Sequence, residues 1–350
     1  MSSLADRNGP FVTELPGLDL DRFRRYYERQ RPGDLRGPLR GRLIAGGKSN
    51  LTYEVTDGHS WWIVRRPPLG HVLATAHDMR REFRVMTALR DTAVPVPRTY
   101  ALCEDPEVSG APFFVMQRVI GTPYRDASQL MPLGAARTRV ISTRMIDTLL
   151  ALHEVDPAAV QLTDFGRPDG FLKRQVRRWR QQFDASRSRD LPDAEELHRR
   201  LVERTPQPQP PAVVHGDYRL DNLLISEDHV AAVIDWEMAT IGDPLTDIAL
   251  LMTYRRMAEF GSASAVADAG TAPGFLTDVE MLQHYARFSS RDVNEIGFYL
   301  GLAAFKLAVV LEGIHFRFLQ GQTVGAGFEN IGDIVEPLIS VGLSSIKENA

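Results

Sequence analysis

His215-Gly216-Asp217-Tyr218-Arg219-Leu220-Asp221-Asn222, followed by the apolar run Val230-Ala231-Ala232-Val233-Ile234 that ends at Asp235, is the stretch whose reading decides the rest of this chain. Asp217 can accept a proton from a hydroxyl, Asn222 follows five residues later, and Asp235 ends a predicted strand. Two carboxylates and an amide oxygen at that spacing can orient a hydroxyl and hold a hard divalent cation beside phosphate. In such chemistry, placement and charge neutralisation matter more than covalent catalysis.

Working outward, composition sets the limits. A chain of 350 residues with 43% hydrophobic content can bury a full core and is long enough for two lobes. Lysine and arginine number 41 against 45 acidic residues, so the net charge of −4 carries no whole-protein signal for nucleic acid or an anionic membrane, and neither is an expected partner. The single cysteine, Cys103, excludes an intrachain disulfide and a Cys-rich zinc site, and fits a reducing, cytoplasmic setting. Residues 1–10 are polar and show no apolar signal core. The apolar stretch 297–318 is interrupted by Lys306, Glu312, His315 and Arg317, so it reads as a buried helix and not as a membrane span.

Leu20, Phe23 and Tyr27 recur at helical spacing, and residues 1–35 read as an N-terminal helical extension. Residues 42–45, 51–55 and 61–65 read as strands, the last two joined through Asp57-Gly58. Met79, Phe83, Met86 and Leu89 place the one helix of this lobe at 75–89, with Pro95 and Pro97 beyond it. Strands at 98–104 and 112–119 complete a five-stranded antiparallel sheet within a small lobe, 36–119, and residues 120–123 form a hinge. After the hinge the helical period dominates, at 133–153, 171–184, 194–204, 279–285 and 293–320. The class is therefore α+β, with a larger, mostly helical lobe over 124–350.

The block 215–222 together with Asp235 resembles the catalytic loop and metal-binding aspartate of the aminoglycoside phosphotransferase family, the small-molecule relatives of the protein kinases. The resemblance implies a bilobal protein-kinase-like fold with nucleotide in the small lobe and catalysis and acceptor in the large one. It implies that Asp217 deprotonates the acceptor hydroxyl and that Asn222 and Asp235 bind Mg2+. Arg219, two residues after the base, either reaches the transferred phosphate or is a solvated arginine. His215 reads as a brace for the loop. Asp243-Pro244-Leu245-Thr246-Asp247 opens a helix, with both aspartates read as capping groups. It begins eight residues after Asp235, which leaves no room for a protein-kinase activation segment and favours a small-molecule substrate.

Gly46-Gly47-Lys48-Ser49-Asn50 lies between two predicted strands and can offer backbone N–H groups to phosphate. A P-loop is rejected, since its first glycine would fall at Arg42 and a strand follows instead of a helix. Gly47, Ser49 and Asn50 are then candidate phosphate contacts. The family carries a lysine on the third strand, whereas this chain has Arg65 and Arg66; the register most like the family makes Arg65 the phosphate binder and Glu82 its ion-pair partner. Phe113 to Val119 resembles the strand entering the hinge, where Met116 would back the pocket and the backbone around Gln117 and Val119 would bind the base. Backbone recognition leaves no side-chain signature separating ATP from GTP.

For the acceptor, the helix at 171–184 carries Lys173, Arg174, Arg177, Arg178 and Arg180 outside an apolar stripe. That is a poor wall for a polycation, and suits an anionic acceptor such as a hydroxyacyl thioester of coenzyme A better; a merely solvated basic face is the plainer reading. The expected function is an ATP- and Mg2+-dependent transfer of the γ-phosphate to a hydroxyl of a small molecule, by a monomer or homodimer. The alternatives are a nucleotide-binding pseudokinase without turnover and an unrelated metal-dependent hydrolase using Asp217 and Asp235.

Overall fold

The computed structural model describes residues 9–44, 50–69, 78–260, 267–323 and 327–348. The chain divides into two compact units, one of residues 1–120 with 232–237 and the other of residues 121–231 with 238–350.

The first unit is built on an antiparallel sheet of β1 (Arg40–Leu43), β2 (Leu51–Thr56), β3 (Trp61–Arg66), β4 (Thr99–Cys103) and β5 (Phe113–Gln117), in the order β1-β2-β3-β5-β4. The β2–β3 turn forms because Asp57 accepts from the N–H groups of His59 (2.9 Å) and Ser60 (2.7 Å), while Gly58 takes the left-handed conformation that a side chain would resist. Three helices join the sheet: α1 (Leu20–Gln30), α2 (Met79–Leu89) and the single turn α3 (Pro106–Ser109). The side chain of Asp19 caps α1 and that of Asp78 caps α2. α1 is the expected N-terminal helix and α2 the expected helix of the lobe, while the single turn α3 lies beyond that expectation. The amphipathic face of α1 packs into the sheet, its Phe23, Tyr26 and Tyr27 sharing one buried cluster with Tyr53, Val55, Trp62 and Phe113. Phe23 stacks on Tyr27 with ring centroids 5.6 Å apart and meets Phe113 at 5.9 Å.

The second unit holds α4 (Ala127–Leu130), α5 (Ala135–His153), α6 (Phe171–Ser186), α7 (Pro192–Glu203), α8 (Leu245–Met257), α9 (Asp278–Phe288), α10 (Ile296–Leu319) and α11 (Val335–Glu348). Beside them lie β6 (Ala212–Val214), paired antiparallel with β9 (Thr240–Gly242), and a ribbon of β7 (Leu223–Ser226) and β8 (His229–Val233). By length and composition α10 could cross a membrane, but 83% of its apolar window is buried in this fold. It is the core helix of the unit, packed by α6, α7, α8 and α11.

Phe23→Ala is expected to destabilise the first unit by about 3–5 kcal/mol, the usual cost of emptying a buried aromatic site. Urea unfolding measures this, and a loss below about 1 kcal/mol would show that α1 contributes little to the core.

Candidate active site

Strand alternation on β3 sends Arg65 and Arg66 to opposite faces. Arg66 is buried and donates to the backbone carbonyls of Gly17 and Ser109, a structural task. Arg65 instead lies 3.2 Å from the Glu82 carboxylate of α2 and pairs with Asp235. Glu82, Asp235 and Glu237 bring carboxylate oxygens within 4.8 Å of one another. Asn50, read as a phosphate contact, is buried and donates its amide to Glu237 (3.1 Å) and Glu82 (3.4 Å). One guanidinium thus faces three carboxylates. Burial, opposed by Arg65 and reinforced by Asp235 and Glu237, pushes the Glu82 carboxyl up to about 7.

Asp235 adopts a left-handed φ of 66°, uncommon outside glycine though more tolerated by aspartate than by most residues. The next residue, Trp236, is fully buried and its indole N–H donates to the Val233 carbonyl at 3.0 Å, which anchors the turn. A donor set made only of oxygens, from Asp235, Glu237 and Glu82, fits a hard cation such as Mg2+.

In the second unit the loop after β6 carries Asp217. It is held from below by Asp247, in the first turn of α8, which is fully buried and accepts from the N–H groups of His215 (2.7 Å) and Gly216 (2.8 Å). His153 lies 3.3 Å from the same carboxylate and bonds the Tyr285 hydroxyl at 2.8 Å through its other ring nitrogen. Burial alone would raise the pKa of Asp247, but His153 and His215 carry it below its ordinary value, so it is ionised. Gly216 has a φ of +81°, and a Cβ there would fall 2.7 Å from the Met238 carbonyl, so only glycine fits before Asp217.

The Asp217 carboxylate accepts from the Tyr254 hydroxyl at 2.7 Å on Oδ1 and from the Asn222 amide at 3.1 Å on Oδ2. Asn222 also donates to the Asp217 carbonyl (2.9 Å), and its own amide oxygen has no hydrogen bond with any described residue. Arg219 lies 3.5 Å from Asp217 and 3.0 Å from Asp221, with its guanidinium 5.2 Å from the Tyr254 ring centroid. Burial raises the Tyr254 pKa well above its ordinary value, as does Asp217 beside it, so the phenol stays a donor.

On β5, Met116 is buried opposite Ile63. The Gln117 backbone N–H donates to the Arg98 carbonyl at 2.7 Å, whereas Val119, just past the strand, has no backbone hydrogen bond to a described residue. Gly47 and Ser49 lie outside the described residues. Sequence reasoning gave no site role to Glu237, Tyr254 or Lys306. The Asp-X-Glu spacing of 235–237 could have signalled the first; Tyr254 and Lys306 sit in apolar helices with no local motif to mark them.

Comparison with known proteins places this geometry in context. The model of the phosphotransferase enzyme family (APH) matches residues 40–283. Acyl-CoA dehydrogenase family member 10 of Mus musculus is 34% identical over 307 residues, which cover 86% of this chain and 29% of that protein. Acyl-CoA dehydrogenase family member 11 of Homo sapiens is 33% identical over 311 residues, covering 86% of this chain and 39% of that protein. The chain thus spans well under half the length of these curated relatives. Among solved structures, one from Ralstonia eutropha, provisionally described as an aminoglycoside phosphotransferase, superposes with a TM-score of 0.81 at 30% identity, covering 97% of this chain and 99% of that one. An ethanolamine kinase of Plasmodium vivax, with a TM-score of 0.58 at 12% identity and coverage of 95% and 90%, shares the fold alone. The fold is accordingly that of the protein-kinase-like phosphotransferases.

Because the Glu82 pKa is raised in the folded state to about 7 from 4.5, its stabilising contribution is complete below pH 4.5 and is lost as pH rises through 7. Thermal unfolding of the full chain should therefore show a midpoint that falls between pH 5 and pH 8, and Glu82→Gln should flatten the fall. An unchanged slope in the variant would remove Glu82 as its source.

Proposed function

The chain belongs to the phosphotransferase enzyme family, and from that membership we propose an ATP- and Mg2+-dependent kinase that transfers the γ-phosphate to a hydroxyl of a small molecule. The observation that carries this reading is the Asp217–Asn222 pair. An accessible carboxylate is oriented by an amide whose own oxygen is left without a hydrogen bond, five residues on, in a loop locked by a buried ionised aspartate.

In this reading the acceptor hydroxyl gives its proton to Asp217 as its oxygen bonds to the γ-phosphorus, and the bond from phosphorus to the bridging oxygen breaks to release ADP. Asp235 and Glu237 in the first unit, and separately the Asn222 amide oxygen in the second, are groups suited to bind Mg2+, which would supply charge neutralisation on the phosphates. Arg65, anchored by Glu82, gives a second positive charge toward the phosphates in place of the family's lysine. Tyr254 and Asn222 fix the rotamer of the base, and Arg219 offers positive charge beside it.

The basic face of α6 and the acyl-CoA naming of the relatives both support a hydroxyacyl thioester of coenzyme A as acceptor class. A polycationic acceptor would be repelled by the same face. Nucleotide binding without phosphate transfer to any hydroxyl would leave the pseudokinase reading in its place.

Asp217→Asn is expected to lower kcat by about 10²–10⁴-fold while Mg2+·AMP-PNP still binds, as followed by single-turnover kinetics and calorimetry; turnover at the wild-type rate would remove Asp217 as the base. Asp235→Ala should lose the magnesium-dependent part of nucleotide binding itself. Tyr254→Phe should lower kcat, because the Asp217 carboxylate loses the donor that fixes its rotamer; an unchanged kcat would remove Tyr254 as a positioning residue.

A further inference from the structure

Lys306 is the unexplained group in the second unit. It interrupts the apolar core helix α10, and its ammonium donates to the Gly216 carbonyl at 2.8 Å, directly before the base. An ammonium has three N–H donors, and this is the one hydrogen bond it makes with described residues. Burial lowers its pKa, while Asp217 and Asp247 hold it up. A neutral donor would hold the Gly216 carbonyl at lower desolvation cost, so bracing the loop does not account for a charge at this position.

Lys306 also faces Trp179 of α6, its nitrogen 5.6 Å from the indole centroid. The guanidinium of Arg178 stands 5.6 Å from the same centroid. Two cations therefore share one buried indole, and each electrostatically disfavours the other. The other basic residues of α6 divide sharply. Arg174 is spent on the carbonyls of Arg167 and Asp169, and Arg180 on Asp184 and Glu195. Lys173, Arg177 and Arg178 are exposed and have neither an ion pair nor a hydrogen bond with any described residue. A row of unpaired cations thus runs along α6 to a half-buried ammonium beside the candidate base.

We propose that Lys306, Trp179, Arg177 and Arg178 form the acceptor-recognition site for an acyl thioester of coenzyme A. In it Lys306 donates to the acyl carbonyl oxygen next to the reacting hydroxyl, Trp179 is the apolar wall between the two cation positions, and Arg177 and Arg178 hold the phosphates. The inference rests on the kinase reading and adds to it the side chains that select the acceptor. It also gives the charge inside α10 a role, since the acceptor would take a second of its three N–H donors.

The test is calorimetric titration of the full chain with 3-hydroxybutyryl-coenzyme A, and separately with Mg2+·AMP-PNP. The wild-type chain should bind the thioester, and Arg178→Ala, Arg177→Ala/Arg178→Ala and Lys306→Met should each weaken it by about tenfold or more, the loss of one charge-assisted hydrogen bond. Affinity for Mg2+·AMP-PNP should stay at the wild-type value in all three. The arginine variants alter only exposed side chains, so they test the site even where Lys306→Met fails to fold. No thioester binding by the wild-type chain, or unchanged affinity in the arginine variants, overturns the acceptor site and leaves the kinase reading standing. Absence of Mg2+·AMP-PNP binding by the wild-type chain overturns the kinase reading itself.

Discussion

The second unit turns on one buried charge. Asp247 has no contact with solvent, yet it is ionised because two backbone N–H groups and a histidine converge on it. Its two oxygens hold successive N–H groups, those of His215 and Gly216, so the chain can leave β6 in only one direction. Gly216 then takes a backbone angle closed to other residues, and Asp217 emerges with its carboxylate already oriented. A buried carboxylate left without those partners would be several kcal/mol out of balance, so the loop and α8 are mutually dependent. His153 on α5 and Tyr285 on α9 extend the same network, tying the helical frame to the loop that carries Asp217.

The first unit shows the complementary arrangement, a local excess of negative charge. Three carboxylates surround Arg65, and Glu82 keeps a raised pKa despite the guanidinium against it. Such a cluster is unfavourable on its own and is relieved by a cation. Arginine in place of lysine on β3 reaches both Glu82 and Asp235 with one planar group, which a point charge could not do. Arg65 therefore helps hold the cluster together.

Much of this was legible in the linear chain. The five strands, α2, α5, α6, α7 and α10 follow from periodicity, continuous apolar runs and punctuation. The spacing of Asp217 to Asn222, and the apolar run into Asp235, marked the family and a candidate site because those residues lie close in sequence and no distant partner is needed to recognise them. The choice between Arg65 and Arg66 rested on a family register, and the structure shows the physical difference as a matter of opposite strand faces. α11 went unread; it packs against α10 and α7. The place of α1 in the sheet core was likewise out of reach, since Phe23 and Tyr27 look the same on a free amphipathic helix as on one docked against Phe113 and Trp62.

The sequence by itself determined the class of fold, the family resemblance and the absence of any intrachain disulfide. These follow from composition and short-range spacing. Only the tertiary structure decided which charges meet: Glu237 beside Asp235, Tyr254 on the base, and Lys306 behind Gly216 between the loop and Trp179. The reason is that long-range pairing depends on helix packing and backbone turns, and an isolated tyrosine or lysine within an apolar helix carries no sign of the residue it will face.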